Sequence, residues 1–268
     1  MKNSLLVIVI FLTLGTSSFC QSDSFQSTPN PTSASQLPAS ESEWHVNWVP
    51  AYLWLTALDG NFGVAGKTIP VEASFSDVFN QLNFAYMTGL DVRKRQLGLL
   101  TDFIYSDLSS DELETPFGVL YSTAKTETKM YILDPEIYGR LVERPKISVD
   151  ATAGIRYWHL SNTLNLRPGL LPAFQATDTR DWVDPVLGGR FRLNLKRGWF
   201  AMLKGDGGGF GAGSQITWQI YTGAGKEFKQ KYSFFLGYRR LSVDYREGGF
   251  VYDTNMSGVL LGFAIKFK

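Results

Sequence analysis

The chain has 268 residues, with 26 Lys and Arg against 25 Asp and Glu, and aromatic residues make up 14% of it. That length suits one large all-β domain or two small ones, and the balanced charge leaves no nucleic-acid footprint. A single cysteine, Cys20, and two histidines, His45 and His159, rule out a disulfide framework and show no zinc-type ligand spacing.

The first twenty residues read as a secretory signal. Lys2 supplies a positive start, and Leu5 to Leu14 form an apolar run too short to cross a bilayer as a helix. Ser18 and Cys20 are small and stand at −3 and −1 of a cut before Gln21. The rival reading makes Cys20 a lipidated residue, but Phe19 stands where a small residue is expected. Residues 21–43 are Ser, Thr, Pro, Gln and Ala with little large and apolar, so they form a disordered polar tether. The expected barrel domain covers 44–268.

From Trp44 onward the hydrophobic period is two. Val149, Ala151, Ala153, Ile155 and Tyr157 share one strand face; Asp150, Thr152, Gly154, Arg156 and Trp158 share the other. The same pattern places Leu187, Gly189, Phe191, Leu193 and Leu195 opposite Asp184, Val186, Gly188, Arg190 and Arg192. Near the end, Val259, Leu261, Phe263, Ile265 and Phe267 share a face. Apolar faces of about five alternate positions match the ~9–11 residues that a tilted strand needs to cross a bilayer. Charges repeat on the opposite faces. The aromatic residues Trp44, Trp48, Trp158, Trp182, Trp199 and Trp218 are placed at headgroup girdles.

The predicted fold is therefore all-β, a single antiparallel up-and-down transmembrane β-barrel of about ten strands, with twelve and eight as alternatives. The strands are expected near 46–58, 82–95, 97–110, 125–142, 146–161, 180–196, 198–210, 214–228, 231–246 and 252–267. Tight turns at Arg95–Gln96, Arg144–Pro145, Arg197–Gly198 and Lys229–Gln230 alternate with longer loops at 59–81, 111–124 and 162–179. The short side is periplasmic in such barrels. Loop 162–179 carries Leu164, Leu166 and Leu170 and is the place where an extra hairpin would raise the strand count. In loop 59–81, Val71, Phe75, Val78, Phe79 and Leu82 are spaced as a short amphipathic helix, with Ser74 and Ser76 able to cap it. That helix is expected to pack over the mouth or into the lumen.

Several stretches carry a resemblance: Tyr52-Leu-Trp-Leu55, Leu58-Asp-Gly60, Ser74-Phe-Ser-Asp77, Gly154-Ile-Arg-Tyr-Trp158, Asp181-Trp-Val-Asp-Pro185 and Gly205-Asp-Gly-Gly-Gly-Phe-Gly211. Thr217-Trp-Gln219, Leu236-Gly-Tyr-Arg239, Asp244-Tyr245, Gly248-Gly-Phe250 and the closing Gly262 to Phe267 add to it. Together they resemble the uncharacterised outer-membrane β-barrel proteins of Gram-negative bacteria, in the superfamily of small porin-like barrels. The resemblance implies a barrel in the outer membrane and carries no activity and no catalytic residues.

The strongest chemical feature is the inward polar set. Strand phase puts Asp91, Arg93, Asp102, Asp134, Glu136, Arg140, Asp150, Arg156, Asp184, Arg190, Arg192, Lys204, Asp206 and Arg239 on the face away from lipid. An Arg or Lys facing lipid at mid-membrane costs about 2–4 kcal/mol, so these positions favour the lumen. Matched signs point to a salt-bridged interior, either a plug or a narrow polar pore, and an ion-selective pore would need an excess of one sign. No catalytic centre, cofactor or metal site is expected.

Gly205 to Gly213 matches neither a dinucleotide nor a P-loop spacing and reads as a hairpin. His159 with Asp178, Asp181 and Asp184 suggests an omptin-type hydrolase only weakly, and Ser161 is a neighbouring loop residue. Asp107, Asp111, Glu112 and Glu114 are candidates for calcium or lipopolysaccharide bridging. Expected partners are outer-membrane lipid, lipopolysaccharide and the barrel-assembly machinery. Ligand binding or adhesion through the external loops is the alternative function.

Overall fold

The computed structural model describes residues 44–64, 67–110, 112–114 and 120–267. The expected signal peptide and tether lie outside these residues. The elements in chain order are β1 (Trp44–Val64), β2 (Lys67–Ala73), α1 (Phe75–Asn80), β3 (Leu82–Lys94), β4 (Leu97–Ser109), β5 (Leu113–Glu114) and β6 (Tyr121–Glu143). They continue with β7 (Ile147–Pro168), β8 (Phe174–Asn194), β9 (Trp199–Gly208), β10 (Ile216–Phe228), β11 (Tyr232–Glu247) and β12 (Phe250–Phe267). Every pairing among them is antiparallel.

The wall closes because the last strand pairs with the first: Val46 stands opposite Phe267 and Gly63 opposite Val251. Around the ring the order is β1, β3, β4, then β6 to β12, which gives the ten-strand barrel. Closure matters energetically, since lipid offers no hydrogen-bond partner to a free strand edge. The two remaining strands are accessories at the outer end. β2 folds back on the top of β1, from Leu58 opposite Ala73 to Val64 opposite Lys67, and β5 pairs with β6.

The four tight turns fall where the sequence places them. The loop at 162–179 adds no strand to the ring. Its Leu164 and Leu166 lie in β7, which pairs with β8 up to Leu166 opposite Phe174, so this hairpin is one long continuation of the wall.

Pro50 marks an irregularity in that wall. The pairing of β1 with β12 shifts register between Trp48 and Ala51, and the pairing of β1 with β3 stops at Val49 opposite Gly89. A proline cannot donate to a ladder, so it is tolerated in a strand at a bulge or an edge. Side chains span the lower lip of the resulting gap: Thr88 Oγ1 donates to the Val49 carbonyl at 2.7 Å and Tyr86 Oη to the Pro50 carbonyl at 3.1 Å. Above this point β1 has no ladder on its β3 side until β2 joins at Leu58.

α1 lies beside this stretch of β1. Its Ser74 cap is reciprocal: the Asp77 backbone donates to Ser74 Oγ, and the Ser74 backbone donates to Asp77 Oδ2 at 2.9 Å. Hydrogen bonds from Ser74 hold the Asp77 carboxyl below the usual aspartate range. The helix exists as expected, but it buries none of its residues, and Phe75 and Phe79 stay exposed. The expected packing into the lumen is therefore corrected: the outer part of the lumen is already filled by buried side chains.

The exterior is apolar. Leu53, Leu99, Ile137, Ile155, Leu187, Leu203, Leu236 and Leu261 all face outward and are exposed. Aromatic residues border this band. Toward the outer end Phe84, Tyr105, Tyr131 and His159 follow one another across β3, β4, β6 and β7, with ring centroids 5.9, 4.7 and 5.1 Å apart. Toward the turn end Lys94 lies over Trp44 and Lys226 over Trp199. A closed barrel with a lipid-facing band and aromatic girdles is a transmembrane barrel of the outer membrane. Trp158 and Trp182 correct the girdle assignment: they are 0% and 5% exposed and point inward.

Candidate functional site in the barrel lumen

The diameter of a barrel grows with its strand number, and about eight strands already leave only enough room for side chains. Ten strands leave more, and here large side chains occupy it in levels. On four strands the change of level falls between consecutive inward positions. Moving outward along the barrel axis, Asp102 is followed by Ile104, Asp134 by Ile132, Arg156 by Trp158, and Arg239 by Leu241.

The outer level is hydrocarbon and aromatic. Trp54, Met87, Ile104, Ile132, Trp158, Leu160, Trp182, Leu241, Val243, Tyr245, Phe250, Tyr252, Met256 and Leu260 form one buried cluster. Trp158, Trp182 and Tyr245 stack in series, with centroids 5.4 and 4.1 Å apart and rings 9° from parallel at both steps. Asp184 lies at the edge of this level. It has no basic partner among the described residues, which corrects its assignment to the charge network. Instead it accepts from the Ser214 backbone at 2.6 Å and from Ser214 Oγ at 2.8 Å. Those bonds tie down the glycine-rich hairpin between β9 and β10, where Gly209 and Gly211 take φ of +85° and +77°. The hairpin reading of that segment holds.

The middle level is an ionic belt. Arg156 is wholly buried and donates to Asp134 Oδ2 at 2.9 Å, to Asp206 Oδ1 at 2.7 Å and to Thr217 Oγ1 at 3.2 Å. Gln219 donates to the same two aspartates at 2.7 and 2.6 Å. Lys204 pairs with Glu136 and with Asp206 at 3.3 Å. Asp134, Glu136 and Asp206 present oxygens within 4.8 Å of one another, close enough to hold a metal ion. The Lys204 ammonium and the Arg156 guanidinium already supply the positive charge there. Beside the belt, Arg239 Nη1 donates to Asp102 Oδ2 at 2.6 Å and to Tyr52 Oη at 3.2 Å, and Tyr52 donates to Asp102 at 2.7 Å. Two charges withdrawn from water are costly unless each is paired and hydrogen-bonded. Each of these has an ionic partner, while Asp134 Oδ1, Glu136 Oε2, Arg156 Nε and Arg239 Nε and Nη2 are buried without a hydrogen bond among the described residues.

The inner level lies toward the turns. Arg190 bridges Asp91 at 2.7 Å and Asp150 at 2.9 Å and lies over the Tyr138 ring, whose hydroxyl also donates to Asp91. Arg140 pairs with Asp150 and Glu143, and Arg93 with Glu143. Arg192 lies over Phe200 at 3.9 Å, and its nearest carboxylate is Glu227 at 3.8 Å. This level encloses a cavity of about 900 Å³ that opens between the short turns, with His45 among its lining.

All fourteen inward charges of the sequence reading thus point into the lumen. Missed were the neutral partners Tyr52, Tyr138, Thr217, Gln219 and Ser214, and the rim carboxylates Glu143 and Glu227. Strand phase exposes Tyr52, Tyr138, Thr217 and Gln219 as inward, whereas Ser214 lies in the hairpin between β9 and β10, outside any strand, and the rim pair depends on how neighbouring strands are staggered.

The other candidates do not converge. His159 Nδ1 lies 2.7 Å from Asp181 Oδ1, and Tyr157 donates to that same oxygen, on the outer face of the wall. Asp178 pairs with Arg180, and Ser161 meets Thr179. Of the acidic group near 107–114, Asp107 accepts from Asn83 and Glu112 from Arg167. Asp111 and the side chain of Glu114 lie outside the described residues.

No family model and no curated protein matches the sequence. Solved barrels do. The outer membrane protease OmpT from Escherichia coli is similar over 87% of this chain and 99% of that one, at 10% identity and a TM-score of 0.42. The transport unit of the autotransporter AIDA-I from Escherichia coli is similar over 87% and 93%, at 10% identity and a TM-score of 0.43. Ail, the attachment invasion locus protein of Yersinia pestis, is similar over 85% and 99%, at 10% identity and a TM-score of 0.34. Likeness at this level carries no function across, and the fold rests on the chain's own closed ladder and apolar exterior: it is an outer-membrane β-barrel.

Proposed function

We propose that this protein is a sealed outer-membrane barrel with a structural role, without a catalytic centre and without a diffusion path through its lumen. The observation that carries this reading is the outer hydrocarbon level, in which Trp158 and Leu241 are 0% exposed and Ile104 and Ile132 are 1% exposed. Ions cross such a layer only at a high desolvation cost. The ionic belt beneath it is paired internally and acts as a brace between strands. Its partners in this reading are outer-membrane lipid, lipopolysaccharide and the barrel-assembly machinery. The tall β6–β7–β8 wall favours a second reading, in which the outer ends of these strands bind a ligand or a host surface.

Planar bilayers test the first reading. Folded protein, verified by heat-modifiable migration, is expected to show no discrete conductance steps. Stable unitary conductance from the same preparation would establish a pore and end this reading.

A further inference from the structure

The charges of the lumen balance in number but not in place. The acids concentrate in the belt, where Asp134, Glu136 and Asp206 cluster. The bases concentrate around the cavity on the turn side, whose lining, apart from Lys204, Arg239 and Asp102 at the belt, holds six arginines and three lysines against Asp91, Glu143 and Glu227. The few carboxylates at that level are shared. Glu143 serves both Arg93 and Arg140, and Asp150 serves both Arg140 and Arg190. Glu227 lies 3.8 Å from Arg192 and 3.6 Å from Lys266. On the turns themselves, Arg144, Arg197 and Lys229 make no ion pair among the described residues.

We propose that this cavity is a binding site for a soluble organic anion that enters from the periplasm. Three features of the site define the ligand. First, the excess of positive charge sits in a recess with low-dielectric walls, which concentrates the field and draws in anions. Second, Arg192 is pre-organised: Phe200 supports its face, Asn194 Oδ1 accepts from its Nε at 3.0 Å, and its side chain stays 28% exposed. A guanidinium held flat presents its remaining N–H groups as a fork that suits a carboxylate, phosphate or sulfonate. Third, Tyr138, Phe200, Tyr221 and Phe235 contribute aromatic wall between the cations, so the body of the ligand is apolar or aromatic. A volume of about 900 Å³ matches an organic molecule rather than a bare inorganic ion.

The same chemistry exists on the headgroups of anionic phospholipids. The barrel offers separate cations for those on its exterior, where Lys94 and Lys226 lie over Trp44 and Trp199 in the girdle. The inward cations are left for a solute.

The test uses pyrene tetrasulfonate, an aromatic body with sulfonates at its corners, and reads its fluorescence polarisation with the full barrel in nanodiscs of phosphatidylcholine. Saturable binding that weakens with added salt is expected. Arg192→Gln should weaken it about tenfold, the loss of one charge-assisted hydrogen bond, while heat-modifiable migration stays normal. A second variant, Arg144→Gln with Arg197→Gln, lies on exposed turns and should weaken binding by a smaller, salt-sensitive factor. Absence of saturable binding overturns the proposal, and so does full affinity in both folded variants. Nanodiscs containing phosphatidylglycerol separate the two anion sources. Unchanged probe affinity supports a soluble ligand, whereas displacement of the probe by that lipid would replace the solute with a headgroup.

Discussion

The two halves of the lumen solve the same packing problem with different chemistry. The outer half fills its space with rings and aliphatic chains, held mainly by contact. The periplasmic half lines its space with ions, which need partners at defined distances. A hydrocarbon level tolerates changes of shape that preserve volume, because dispersion and burial are non-directional. An ionic level does not, because removing one member leaves an uncompensated charge in a dry place. The barrel is thus held by volume at one end and by geometry at the other.

Substitution at the seam gives the largest expected effect. Arg156→Met keeps much of the side-chain length but leaves Asp134, Glu136 and Asp206 facing Lys204 alone. Unfolding in urea from lipid vesicles should show a loss of about 3–5 kcal/mol. A loss below about 1 kcal/mol would mean that the belt is solvated and that the two halves do not differ as described. Just above it, Leu241→Met changes shape at constant volume. It should cost less than about 1.5 kcal/mol in the same assay. If it cost as much as Arg156→Met, the contrast between volume and geometry would fail.

The smallest effect concerns the wall, which shows the same division. β1 pairs with β3 only as far as Val49, so its outer part from Ala51 to Ala57 has a ladder on one side. β7 at Ala151–Tyr157 has ladders on both sides. Hydrogen exchange should therefore be faster for alternate amides of Ala51–Ala57 than for those of β7 at a similar height. Equal protection would show that α1 or another segment restores the missing bonds.

The two inward tryptophans show how far residue type misleads. The period-two phase already groups Trp158 with Asp150 and Arg156, and Trp182 with Asp184. Tryptophan also suits a headgroup girdle, so its type argues for the outside. Phase decides, because a one-residue slip would send every charge on the same strand into lipid. Trp44, Trp48 and Trp199 follow their own phase and are exposed. α1 shows the opposite limit. Its cap and spacing are local and legible, but where a six-residue helix docks depends on whether the lumen has space left.

By itself the sequence determined the barrel, its short-turn end and which fourteen charges face inward, since alternation and turn chemistry act over a few residues. Only the tertiary structure decided the height at which each inward residue lies, because that depends on the stagger between strands. Stagger turned an even tally of charges into an acid-rich belt, a cation-lined vestibule and an apolar seal.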